Sequence, residues 1–215
     1  SVIVGNEVLL RKELEPLELY AYIDFMKSHT KKPVTTAETW DIWEKNPQLA
    51  SHVDFLTIHI LPYWEKVPIE RYNEFIIEKY SVVEELFPNR KIVIGETGWP
   101  SHGYNNNKAV PSIKNQAQAI RGFVNLAHEK GWHYNIIEAL DQPWKGYDEG
   151  NVGQYWGIFT TDRALKFQLA GEVELNKYWL YQMIAAIIIG ALLTIFGLKN
   201  QRVNISHAFA YAIAA

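Results

Sequence analysis

The chain has 215 residues, 48% of them hydrophobic and 21% charged, with 21 Lys and Arg against 24 Asp and Glu for a formal charge of −3. That apolar fraction supports a sizeable core and excludes a disordered chain. The near-balanced charge argues against a nucleic-acid partner, and the absence of cysteine excludes disulfides, thiolate metal sites and cysteine nucleophiles.

Short runs rich in Val and Ile recur along residues 1–170: Val2–Val4, Val34–Thr36, Val53–Ile60, Lys91–Ile94 and Tyr134–Leu140. Their continuous apolar character predicts buried parallel strands. Amphipathic segments fill the gaps. Pro16 to Lys27 is one. Pro68–Leu86 carries Ile69, Tyr72, Ile76, Tyr80 and Val83 at helical spacing, with Pro68 at a tolerated N-terminal position and Pro88 as a stop. Ser112–Lys130 starts on a serine cap and meets Gly131 at its end. Strand and helix therefore alternate five times. Five units do not close an eight-stranded barrel, which leaves two possibilities, an open doubly wound sheet or a barrel whose first strands lie outside this sequence.

From Tyr178 to Leu198 no charged residue occurs, a length that meets the roughly 20 residues of a membrane-spanning helix. Tyr178, Trp179 and Tyr181 stand at interface depth, and Lys199 and Arg202 follow, so the positive-inside rule puts the C-terminal end in the cytoplasm and residues 1–170 outside. The expected organisation is one domain at 1–170, a juxtamembrane linker at 171–177, a transmembrane helix at 178–198 and, at 199–215, a cytoplasmic loop with the start of a second membrane segment. The lipid bilayer is then a partner. Asn204-Ile205-Ser206 matches a glycosylation sequon, but on the cytoplasmic side. The apolar start at Ser1 and the apolar tail to Ala215 read as a fragment of a longer chain.

Polar and aromatic clusters follow three strands: Gly5-Asn6-Glu7, then His59-Ile60-Leu61-Pro62-Tyr63-Trp64, then Gly95-Glu96-Thr97-Gly98-Trp99-Pro100-Ser101. In parallel α/β folds the carboxyl ends of strands are where sites are built. Glu7 and Glu96 are each launched from a glycine-containing strand toward that end. Two carboxylates so held are the minimum for glycosidic bond cleavage, one as acid and base, the other as nucleophile. No metal-binding pattern among the seven histidines, no serine elbow and no phosphate loop accompanies them, so neither metal nor cofactor is expected.

VIVGNEVL and KIVIGETGWPS resemble the acid/base and nucleophile strands of glycoside hydrolase family 17, the β-1,3-glucanases and related glucosyltransferases, and EALDQPWK and YWGIFTTDRALKF resemble its last strand and closing segment. The resemblance covers residues 1 to about 168. It implies a (β/α)8 barrel whose fourth to eighth strands are present, with Glu7 as acid/base and Glu96 as nucleophile of a retaining mechanism, carboxyls about 5 Å apart. Within it Asn6 would hold the sugar 2-hydroxyl, Tyr63 would donate to Glu96, His59 would touch substrate, and Lys145 would contact substrate or Gln142. Trp64, Trp99, Trp144, Trp40 and Tyr104 would be stacking platforms for glucose rings, while Trp43, Trp132 and Trp156 fall to the core. Leu61 and Gln142 depart from the family pattern, which often has tyrosine and glutamate there. The expected substrate is β-1,3-glucan, with water or a glucan hydroxyl as acceptor, and a glucan synthase is a plausible neighbour in the membrane. A non-catalytic glucan-binding domain is the alternative.

Overall fold

The computed structural model describes residues 1–173, 176 and 178–199, which form two compact units, Ser1–Val173 and a second that contains one helix. The expectations for 199–215, including the sequon, fall outside the described residues except for Lys199 at the end of that helix.

Five strands form one sheet: β1 (Val2–Asn6), β2 (Val34–Thr39), β3 (Leu56–His59), β4 (Ile92–Thr97) and β5 (His133–Ile136). All pairings are parallel and the spatial order is β1-β2-β3-β4-β5. A doubly wound sheet reverses its order at a switch point; here the chain always steps to the same side, as the arc of a singly wound barrel does. The central strands β2 and β3 are almost wholly buried, whereas Ile3 on β1 and His133 and Asn135 on β5 are exposed. Both outer strands are edges.

The helices are α1 (Pro16–His29), α2 (Trp40–Lys45), α3 (Tyr72–Leu86) and α4 (Ile113–Lys130) in the first unit. Ser112 caps α4 as predicted, its Oγ accepting from Asn115 N at 3.0 Å. The short α2 is a segment the periodicity did not reveal. Helix α3 buries Tyr72, Ile76, Tyr80 and Val83, the predicted apolar stripe. These side chains join Ile58, Ile60 and Ile94 from the sheet in the main core. Two predicted strands are shorter than expected. β3 begins at Leu56 because Asp54 turns back to bond the start of β2, its Oδ2 accepting from Val34 N at 2.7 Å. β5 stops at Ile136, and the chain then passes to Phe159 through a single bridge at Leu140.

The closing segment is held by a buried ion pair. Lys166 Nζ lies 2.6 Å from Asp141 Oδ1 and donates to Ser101 Oγ at 2.7 Å, with side chains only 5% and 8% exposed at Lys166 and Asp141. One lysine thus joins three of the sequence motifs.

The second unit contains α5 (Trp179–Lys199), exposed from Trp179 to Gly197. Trp179–Gly197 is long and apolar enough to cross a membrane.

Candidate active site

Each of the five strands ends on or runs into a titratable side chain: Glu7 after β1, Glu38 in β2, His59 in β3, Glu96 in β4 and Glu138 after β5. Parallel strands in sequential order bring these ends together. Gly5 sits at an irregularity in the β1 register between Ile3 and Asn6, with φ +83° that side chains rarely adopt, and Glu7 itself has φ +54°, held by its N–H on Ala37 O at 2.7 Å. Gly95 allows a close approach on β4: a Cβ there would meet Thr57 Cγ2 at 2.6 Å and His59 Cε1 at 2.7 Å. The glycine before Glu96 therefore makes room for His59 beside it.

The result is a cleft of about 430 Å³ lined by Glu7, Glu96, His59, Trp40, Leu61 and Trp64, and also by Glu149 and Trp156. One carboxylate oxygen of Glu7, one of Glu96 and a nitrogen of His59 lie within 4.8 Å of one another. Such a set could hold a divalent cation, but the His59 nitrogen that faces Glu96, Nε2 at 3.8 Å from Oε1, is engaged by Asn6 Oδ1 at 2.9 Å. Burial lowers the His59 pKa to about 4, so the ring is neutral, donates from Nε2 to Asn6 and leaves Nδ1 buried without a partner. His59 orients Asn6 and is no acid.

Burial raises both carboxylates. Glu7 is pushed up by desolvation and pulled down by Arg11, 3.4 Å away, and by Lys145. Glu96 is pushed up to about 7 by desolvation and then by Glu7, with Lys145 opposing and Glu138 and Glu149 adding to the rise. Like charges this close resist joint ionisation, so the pair retains one proton over a wide pH range. The stronger rise at Glu96 places that proton on Glu96 before substrate binds, and attack by Glu96 requires it to pass to Glu7.

Several side chains sit elsewhere than expected. Tyr63 is fully buried and its hydroxyl donates to Tyr104 O at 2.7 Å, a backbone carbonyl, where Glu96 was the expected acceptor. Trp99 is also fully buried, its Nε1 donating to Val110 O at 3.0 Å and its ring edge-on to Tyr63 and Tyr72, so it packs the core and offers no face to a sugar. Tyr104 and Trp144 are exposed, at 46% and 61%, and neither lines the cleft. Trp64 and Trp40 do line it. Trp64 stacks on Trp156 at 5.9 Å, so a ring assigned to the core backs the one exposed platform.

Lys145 is no surface lysine. Its Nζ donates to Glu138 Oε2 at 2.7 Å, and Gln142 Nε2 donates to the same oxygen at 2.7 Å. This accounts for the departure at Gln142: a carboxylate there would face Glu138 with like charge, whereas the amide supplies a donor. Glu138 and Glu149 were missed in the sequence. Glu138 follows an apolar strand as Glu7 and Glu96 do, a signal hidden because the run was read as continuing to Leu140.

Removing Lys145 has a defined sign. A cation lowers neighbouring carboxylate pKa values, so Lys145→Met raises those of Glu7 and Glu96, and less Glu96 is ionised at a given acid pH. The acid limb of the kcat/KM profile is expected to move to higher pH, with turnover near pH 6 falling by about threefold to tenfold. A profile that keeps its acid limb would contradict this electrostatic role.

The BtgE/BtgC glycoside hydrolase domain matches residues 1–157. The chain belongs to this family. It is 30% identical over 168 residues to the probable β-glucosidase btgE of Aspergillus fumigatus, covering 74% of this chain and 29% of that protein. It is 28% identical to the glucan 1,3-β-glucosidase of Saccharomyces cerevisiae, covering 78% and 60%. The glycoside hydrolase family 17 β-1,3-glucanosyltransferase of Rhizomucor miehei superposes with a TM-score of 0.70 at 29% identity, covering 76% of this chain and 60% of that one, and an active-site mutant of that enzyme has been solved with laminaritriose. The chain thus spans less than two thirds of each relative, and its parallel α/β sheet is the family 17 fold.

Proposed function

We propose that the full-length protein cleaves or transfers β-1,3-glucan chains by double displacement, with Glu96 as nucleophile and Glu7 as acid/base. The observation that carries this reading is that one oxygen of Glu7 lies within 4.8 Å of one oxygen of Glu96. Retaining enzymes hold theirs about 5–5.5 Å apart for direct attack, whereas inverting enzymes leave roughly 6.5–9.5 Å for a water. In the first step a Glu96 oxygen bonds to the anomeric carbon as the glycosidic C–O bond breaks and the Glu7 proton passes to the leaving oxygen. In the second, Glu7 takes a proton from an acceptor hydroxyl whose oxygen bonds to the anomeric carbon and displaces Glu96. In this reading Asn6, hydrogen-bonded to His59, holds the 2-hydroxyl, and Trp64 and Trp40, which line the cleft, carry sugar faces. Water as acceptor gives hydrolysis; a glucan hydroxyl gives transfer.

The same reading takes the five strands as the fourth to eighth of a barrel. The exposed edges β1 and β5 and the single direction of winding support it. It also takes α5 as a membrane anchor for an external catalytic unit, supported by the length and apolar composition of Trp179–Gly197. One experiment tests both parts. Membranes carrying the full-length protein are washed with high salt and incubated with laminari-oligosaccharides. Shorter or longer products from the washed membranes are expected. Activity found only in the wash would contradict the anchor, and intact oligosaccharide in both fractions would contradict the enzyme.

A further inference from the structure

Of the side chains at the strand ends, Glu38 has no part in the steps above, yet it is fully buried. Its two carboxylate oxygens accept from two consecutive backbone N–H groups across the sheet, Oε1 from Leu9 N at 2.7 Å and Oε2 from Leu10 N at 3.3 Å. Those donors open a single helical turn after β1, closed by Arg11 N on Glu7 O at 2.9 Å and Glu13 N on Val8 O at 3.0 Å. The first N–H groups of such a turn have no partner within it and must find an acceptor elsewhere. None of the side chains at its own start supplies one in the manner of an N-cap, so a neighbouring strand does. Glu7 occupies the left-handed backbone region two residues before the first of these donors. A non-glycine residue there persists only where the surroundings hold it. Two bonds bracket it: its own N–H on Ala37 O, and the carboxylate of the next residue on β2 under Leu9 and Leu10.

We infer that Glu38 is a positioning residue for Glu7, a cap supplied by the neighbouring strand that fixes the turn from which the acid/base side chain projects. The inference rests on the proposed role of Glu7. Because it concerns only the proton-transfer partner, its signature depends on the leaving group. Cleavage of glucan needs a proton on the departing oxygen, whereas departure of dinitrophenolate needs none.

The test compares full-length wild type and Glu38→Gln on a laminari-oligosaccharide and on a dinitrophenyl β-glycoside of the same sugar, with and without azide. The amide presents a donor where two donors already point. Turnover of the oligosaccharide is expected to fall on the order of tenfold to hundredfold with KM changed less than about twofold. Turnover of the dinitrophenyl substrate in azide, which replaces base-assisted water, should stay near wild type. Glu38→Asp keeps the charge and serves in the same assay should the glutamine variant fail to fold; it should show the same split in weaker form. Equal losses on both substrates, or no loss on either, would overturn the inference. A wild type inert toward both substrates would overturn the role of Glu7 first, and this inference with it.

Discussion

Glu96→Gln in the full-length protein is expected to lower turnover of laminari-oligosaccharides on the order of ten-thousandfold, and Glu7→Gln on the order of a hundredfold to a thousandfold. The amide at 96 cannot form the glycosyl ester, so no step of double displacement survives. The amide at 7 abolishes proton transfer but leaves the nucleophile in place. Azide should therefore accelerate the Glu7 variant on an activated substrate and yield a glycosyl azide of retained configuration, because it attacks the intermediate from the face Glu7 guards. Oligosaccharide binding should persist in both variants, since Trp64 and Trp40 are untouched. Measurable glucan turnover by Glu96→Gln at more than about a hundredth of the wild-type rate would contradict the assignment. Binding without turnover by the wild type would instead make this a glucan-binding domain.

The second large effect concerns stability. Lys166→Met is expected to destabilise the catalytic unit by about 3–5 kcal/mol, because it leaves Asp141 buried with Gly157 N as its remaining donor. For a unit of this size that corresponds to a fall in Tm on the order of 10 °C. Burial depresses the Lys166 pKa while Asp141 opposes that shift, so the pair acts as one element. Replacing both partners, Lys166→Met with Asp141→Leu, should recover much of the loss, since an apolar pair carries no desolvation penalty. Thermal unfolding of the three proteins checks this. A single variant within about 1 kcal/mol of wild type would show that the pair does not fasten the closing segment.

The buried ion pair also shows what the sequence reading could and could not recover. Periodicity placed the five strands and three long helices because each buries one continuous apolar run or stripe. It also brought Glu7 and Glu96 to one end, because a parallel sheet in sequential order has no other arrangement for its strand ends. Asp141, Lys166 and Ser101 were legible as motif residues, but their joint role depends on a contact spanning 65 residues that no local pattern encodes. The aromatic residues were the least legible. Trp99, between Gly98 and Pro100, and Tyr63, between Pro62 and Trp64, stand in strand-end segments that suggest a cleft, yet they fill the core beneath it, while Trp64, next to Tyr63, lines the cleft. A tryptophan's exposure depends on which of the neighbouring rings the tertiary packing turns into the core, and chain position does not carry that information. Glu38, Glu138 and Glu149 were overlooked for a different reason. Glutamate near a strand end is usually solvated, and only burial reveals that Glu38 and Glu138 are not, while Glu149 lies in a loop that no strand pattern points to.

The measurement that bears most directly on the central assignment is covalent trapping. Full-length protein is incubated with a deoxyfluoro laminaribiosyl fluoride, which forms the glycosyl-enzyme quickly and releases it slowly, then digested and analysed by mass. The sugar is expected on the peptide containing Gly95-Glu96-Thr97, bound through the Glu96 side chain. An adduct on Glu7 or any other residue would contradict the account, as would the absence of an adduct from protein that still cleaves unmodified laminari-oligosaccharides.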